Sequence, residues 1–194
     1  MIKKPKPSDI NQIAELHMIS LKDGLLYQLG KETLKKVYQE ILQDKKSFIF
    51  VHYNKKKIIG AAASSLDEEE LFGKVKKKYF LSIGLRVLAR SITMPSLPFK
   101  ILKSKYSSAT KPELLFLFVD PKYRGGGIGK KLVDKTTEQF RKMGVNKYKI
   151  TILASNKKGK KFYEKAGFKK TSSMDFMGQK RDIYVHKLSM STKN

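Results

Sequence analysis

The chain of 194 residues reads as a single α/β domain, α+β in some classifications. Three observations predict it. Two runs with helical apolar spacing come first, and two β-like runs joined by a polar turn follow. A continuous apolar run of strand length then leads through a glycine-rich turn into another helix. The early strand pair makes a meander, which excludes a dinucleotide-fold opening. A hydrophobic content of 40% is enough to close one sizeable core, so 1–194 is expected to be one domain.

Ser8 stands where an N-cap belongs, ahead of a first helix through Ile10, Ile13, Ala14 and Leu16. Leu34, Val37, Tyr38, Ile41 and Leu42 mark a second. Residues 47–53 and 57–66 are the hairpin strands, with Asn54-Lys55-Lys56 as their turn. From 71 to 111 the chain holds ten Lys or Arg and no Asp or Glu. This stretch is a basic, partly helical insertion. Phe80, Ile83, Val87 and Leu88 fall near one face of an amphipathic helix there, which Gly84 weakens.

After Pro112, residues 114–119 form a strand apolar enough to be covered on both faces. Ile128, Leu132, Val133, Thr136, Phe140 and Met143 give the inner face of the next helix, and Gly144 its stop. A strand over 147–153, a helix over 156–166 stopped by Gly167, and C-terminal strands through 183–188 complete the domain. A few polar residues end the chain.

Composition excludes several chemistries. With no cysteine, disulfides, thiolate metal sites and a cysteine nucleophile are ruled out. His17, His52 and His186 lack metal-ligand spacing, and no Gly-x-Ser-x-Gly elbow accompanies them, so no metal is expected. The basic start runs into an alternating pattern unlike a signal peptide, and every apolar run falls far short of the ~20 residues of a membrane span. A cytoplasmic location is the expectation. Forty-two Lys and Arg against 17 Asp and Glu, a formal charge of +25, favour anionic partners: nucleic acid, acidic lipid or a phosphate-bearing cofactor.

The residues that carry chemistry lie at Arg124-Gly125-Gly126-Gly127-Ile128-Gly129. A glycine-rich turn between a buried strand and a helix offers unpaired N–H groups at the positive end of the helix dipole, and glycines admit close approach by an anion. Lys122, Lys130 and Lys131 add charge, so phosphate or pyrophosphate is the natural ligand, although an ordinary surface turn needs none. The spacing is one residue short of a Walker loop. Lys130 stands where the third glycine of a dinucleotide fingerprint belongs.

The run from Val119 to Gly129 resembles the Arg-x-x-Gly-x-Gly signature of the GNAT superfamily of N-acetyltransferases. A second block, Asn156 to Phe168 with its Phe162-Tyr163-Glu164-Lys165-Ala166-Gly167-Phe168, resembles that family's Asn…Phe-Tyr-x-x-x-Gly-Phe segment. The resemblance implies a central mixed, mostly antiparallel sheet flanked by helices, with the basic insertion between the N-terminal hairpin and the cofactor-binding strand. It implies acetyl-CoA as co-substrate, with its pyrophosphate on Arg124, Gly125, Gly126, Gly127, Ile128, Gly129 and Lys130. Its pantetheine would lie along Phe118 and Val119, where a main-chain N–H would hold the thioester carbonyl.

The same resemblance makes Tyr163 a cofactor contact and the acid that protonates the departing thiolate; aromatic packing is the alternative. It makes Asn156 a cofactor contact, where a helix N-cap equally explains an asparagine. Many relatives place a carboxylate on the strand before the loop, but this chain has Leu115, Phe116 and Leu117 there. Glu113 is the nearest candidate base. Asp67-Glu68-Glu69-Glu70 is a second candidate, read more simply as a solvated acidic turn.

The function that follows is acetyl transfer from acetyl-CoA to a primary amine, on a small molecule or a peptide, by direct attack. The alternative is a non-catalytic module of the acyl-CoA fold that binds nucleic acid or an anionic surface. The 71–111 insertion could meet an anionic membrane, act as a lid or cover an oligomer contact, and a homodimer stays open.

Overall fold

The computed structural model describes residues 1–22, 24–99 and 108–188. Residues 100–107 of the basic insertion and the polar chain end after 188 lie outside the described residues. In chain order the elements are β1 (Ile2–Lys3), α1 (Ile10–Ser20), α2 (Leu25–Leu29), α3 (Lys31–Gln43), β2 (Ser47–Asn54), β3 (Lys57–Ser65), α4 (Glu68–Lys78) and α5 (Phe80–Thr93). Then come β4 (Glu113–Val119), α6 (Ile128–Lys142), β5 (Lys147–Leu153), α7 (Lys157–Lys165), β6 (Lys169–Phe176) and β7 (Gln179–Lys187).

The strands make one seven-stranded sheet in the order β1-β2-β3-β4-β5-β7-β6, antiparallel at every junction except β4 with β5. The mixed, mostly antiparallel sheet is as expected. Its two faces carry separate cores. On one, Ile13, Leu34, Val37, Tyr38, Ile41, Leu71 and Phe118 pack helices α1, α3 and α4 against the sheet. On the other, Leu132, Phe140, Tyr148, Ile150 and Phe168 gather α6 and its neighbours. Phe140, Tyr148 and Phe168 stack in sequence with ring centroids 4.6 and 5.2 Å apart, close enough for aromatic pairing to add to burial.

Three local expectations need correction. Ser8 is inside a short 3-10 turn, Pro7–Asp9, and caps nothing; Asp9 accepts from the Lys6 N–H at 2.7 Å instead. The acidic run 67–70 is not a solvated turn. Asp67 is the N-cap of α4, accepting from the Glu70 N–H, and the three glutamates occupy the helix's first turn, where the dipole favours negative charge. Leu71 and Val75 of α4 are buried, so the insertion begins as part of the core. Within α5, Ile83 packs against that core while Phe80 and Leu88, expected on the same face, are 74% and 69% exposed. Within that one helix Leu88 lies five residues from Ile83, about 140° round the axis at ~100° per residue, and Phe80 is the first residue, beside the break at Tyr79.

Candidate active site

Strands β4 and β5 run side by side in parallel but are bridged at one pair, Glu113 with Lys149, near their N-terminal ends. Beyond it they part, leaving a V-shaped gap that opens toward their C-terminal ends. β4 is laddered to β3 along its other side, with one register shift between Ala63 and Ser64. Asp120 N–H donates to Ile59 O at 2.9 Å, and Gly60 faces Val119 across the ladder. By strand alternation the N–H of Phe118 therefore turns to β3, and those of Leu117 and Val119 turn into the gap. Of the two residues expected to offer a main-chain donor, the ladder engages Phe118 and leaves Val119.

The glycine loop sits at the open end of the V. Gly125 and Gly127 have φ of 86° and 73°, a left-handed backbone that glycine adopts without steric cost. Gly127 is the N-cap of α6, and no side chain caps that 15-residue helix, so its first-turn N–H groups, Ile128, Gly129 and Lys130 among them, face outward. Ile128 itself plugs the core below. A Cβ on Gly129 would lie 3.4 Å from the Phe162 ring and 4.0 Å from Val119 Cγ2, so loop, β4 and α7 converge there. A phosphorylated ligand with an extended arm fits this cradle: bare N–H groups for the anion, a slot between strands for the arm.

Two basic residues of the loop are engaged elsewhere. The Arg124 guanidinium donates to Val119 O (3.2 Å) and Ser20 O (3.1 Å), bracing the mouth of the gap. The Lys130 ammonium pairs with Asp134 at 2.7 Å along the exposed side of α6. Asn156 caps α7, its carboxamide oxygen accepting from Gly159 N–H at 2.8 Å. Tyr163 is half-buried on α7 beside Phe162 and Phe168. Burial, then Tyr148 and Glu113, push its phenol well above the usual tyrosine value, so it stays protonated.

Glu113 closes the narrow end of the V. It is 5% exposed, and Lys149, equally buried, sits 3.3 Å from it and 3.4 Å from Glu68 of α4. Burial raises the Glu113 carboxyl to about 7, against the pull of Lys149, a hydrogen bond with Thr151, and the charge of Arg181. Lys149 and Thr151 alternate with the core residues Tyr148, Ile150 and Ile152, so they face the α1–α4 side of the sheet. On that side a cleft of about 280 Å³ lies between α2 (Gly24, Leu25, Gln28) and the β6–β7 hairpin (Met177, Gly178, Gln179, Arg181).

The site therefore has two sides: the glycine loop and Tyr163 lie with α6 and α7, the cleft and Glu113 lie on the opposite side, and the V joins them. Sequence patterns did not single out Lys149, Thr151, Arg181 or the buried His17. His17 shares a 2.6 Å hydrogen bond with Tyr38 and packs on Phe116 and Phe118; burial lowers it to about 4, which keeps it neutral. Among the described residues no group of His, Asp and Glu has a metal-holding arrangement.

The family model for the acetyltransferase (GNAT) family matches residues 12–168. The chain belongs to that family. This GNAT acetyltransferase is 26% identical over 172 residues to spermidine N(1)-acetyltransferase of Thermoplasma acidophilum, covering 86% of this chain and 96% of the relative. A shorter match, 49% identical over 51 residues, aligns 26% of the chain with 33% of glucosamine 6-phosphate N-acetyltransferase of Trypanosoma brucei brucei. Among solved structures, the PaiA N-acetyltransferase of Thermoplasma acidophilum in complex with coenzyme A superposes with a TM-score of 0.63 at 18% identity, over 97% of this chain and 98% of that one. These matches favour an acetyltransferase over a non-catalytic binding module.

Proposed function

We propose that this acetyltransferase transfers an acetyl group from acetyl-CoA to a primary amine by direct attack within one ternary complex. The observation that carries the proposal is the V between β4 and β5. It is open to a phosphate-binding helix end on one side and to a polar cleft on the other, with the N–H groups of Leu117 and Val119 directed into it. Two reagents held on opposite sides of the sheet can meet only there.

Acetyl-CoA supplies an acyl group activated as a thioester, with a thiolate as leaving group. The N–H groups of the α6 first turn and the loop bind the pyrophosphate; Val119 N–H polarises the carbonyl as negative charge builds on its oxygen. Glu113, near neutrality in its proton affinity, accepts the amine's proton through the hydroxyl of Thr151, to which it is hydrogen-bonded. The C–N bond forms as the C–S bond breaks. Tyr163 donates a hydrogen bond to the thiolate as it leaves. With its phenol held above the usual ~10 and a thiol near ~8.5, complete proton transfer is uphill, so its work is charge stabilisation.

The acceptor enters between α2 and the β6–β7 hairpin. Relatives whose names specify spermidine and glucosamine 6-phosphate both act on amines, which supports the amine class. The test is thiol release from acetyl-CoA in the presence of a polyamine, an amino sugar with and without phosphate, a peptide N-terminus and free lysine. Amine-dependent release with at least one class is expected. Release no faster than hydrolysis with every class would contradict the proposal.

A further inference from the structure

Helix α5 has no buried residue, yet it is one of the most apolar segments of the chain. Ile83 faces the core, and α5 rests on α2 and α4. On its outer side Leu81, Leu85, Leu88 and Ile92 recur at intervals of four, three and four residues, which on a helix is a single stripe. They are 78%, 66%, 69% and 84% exposed. An exposed leucine or two is ordinary surface, but a continuous stripe of large aliphatic side chains along a four-turn helix marks a contact site.

We propose that this outer face of α5 docks on an anionic lipid bilayer, lying in the interface without crossing it. The charges around the stripe select this occupant. From 71 to 111 there are ten basic residues and no acidic one. Lys76 and Lys77 are exposed at the end of α4, just before α5 begins. A second copy of the chain would set this basic segment against its own like, on a molecule already carrying +25. Anionic headgroups supply the missing countercharge while the stripe enters the acyl boundary, and long basic side chains reach back to the phosphates. Among the described residues no helix is long and apolar enough to cross a membrane.

The arrangement has a functional consequence. Because α5 packs on α2, and α2 contributes Leu25 and Gln28 to the acceptor cleft, docking brings that cleft beside the headgroup layer. The docking surface itself stands on exposure and charge, independently of the acetyl-transfer proposal.

Vesicle flotation tests it, with the full chain and vesicles of phosphatidylcholine alone or with about one-third phosphatidylglycerol. Wild type is expected on the anionic vesicles at least tenfold more than on the neutral ones. Leu85→Glu/Leu88→Glu is expected to lose at least tenfold, and Lys76→Glu/Lys77→Glu at least fivefold. Leu85→Ser/Leu88→Ser, which adds no charge, is expected to fall between wild type and the glutamate pair. All substitutions are at exposed positions, so unchanged circular dichroism and melting temperature accompany the loss. Equal binding to both vesicle types, or anionic binding that survives both leucine pairs, would overturn the proposal. So would a wild-type dimer in light scattering that the leucine pairs dissociate while vesicles capture nothing; the stripe would then belong to a second copy.

Discussion

Replacing Glu113 by Gln removes the one carboxyl, among the described residues, whose proton affinity the fold raises into the neutral range. Its ordinary value is 4.5 and burial lifts it to about 7, a difference worth about 3 kcal/mol at ~1.36 kcal/mol for each tenfold step. The sign follows from linkage. A carboxyl that binds its proton more tightly when folded adds stability below its unfolded value of 4.5, and that stability is lost as pH rises through 7. The wild type therefore loses about 3 kcal/mol through this group between pH 4.5 and 8, and Glu113→Gln does not. At the low-pH end the protonated carboxyl and the glutamine amide are both neutral, so the two proteins differ there only by a pH-independent constant, and Lys149 keeps Glu68 as a partner in the variant.

The assay is urea or thermal unfolding of both proteins at pH 5 and pH 8. The difference in stability, variant minus wild type, should grow by about 3 kcal/mol from the lower to the higher pH, roughly 6–12 °C in melting temperature for a domain of this size. The catalytic counterpart is an acid limb near pH 7 in kcat/KM that the variant lacks. Parallel unfolding curves would refute the reasoning: Lys149 would then hold Glu113 ionised throughout, and the carboxylate could not cycle a proton at neutral pH.

Tyr163→Phe should lower kcat by about tenfold to a hundredfold with little change in KM for acetyl-CoA. Its melting temperature should hold, because the hydroxyl makes no hydrogen bond among the described residues; an unchanged kcat in steady-state kinetics would remove the tyrosine from the reaction. Gly159→Ala runs against helix propensity. Alanine is the better helix former by ~1 kcal/mol, yet its Cβ would sit 2.6 Å from Ile152 Cδ1 and 2.8 Å from the Asn156 carboxamide. Overpacking of ~1–3 kcal/mol and a disturbed N-cap should make the variant less stable in urea unfolding; a gain in stability would show that the cap and Ile152 yield freely.

How much of this was legible in the sequence follows from the range of each interaction. The glycine loop and the Asn156 to Phe168 block are local: a left-handed turn needs glycine at fixed positions, a cap needs Asn beside its helix, and both stand in the structure as read. The hairpin and the β4 to α6 unit were legible for the same reason. Lys149 was not, because among 42 basic residues one buried lysine has no local mark, and its partners Glu68 and Glu113 come from distant segments. The hint available was its place between Tyr148 and Ile150 on a half-buried strand. The acidic run at 67–70 was misread because a cap and a solvated turn use the same residues; the helix after it decides between them. Phe118 and Val119 differ only in strand parity, which the ladder to β3 sets and the composition of β4 does not.

The central claim is that the loop before α6, opening into the β4–β5 gap, holds acetyl-CoA. Gly126 tests it cleanly, because it alone among Gly125, Gly126 and Gly127 has an ordinary backbone, and a Cβ there meets nothing closer than Tyr123 O at 3.7 Å. Calorimetric titration of acetyl-CoA should show one site on wild type and on Gly126→Ala. On Gly126→Asp the affinity should fall at least tenfold with no loss of melting temperature, since the added carboxylate opposes the phosphates without straining the fold. No binding to wild type, or equal affinity in the aspartate variant, would contradict the account.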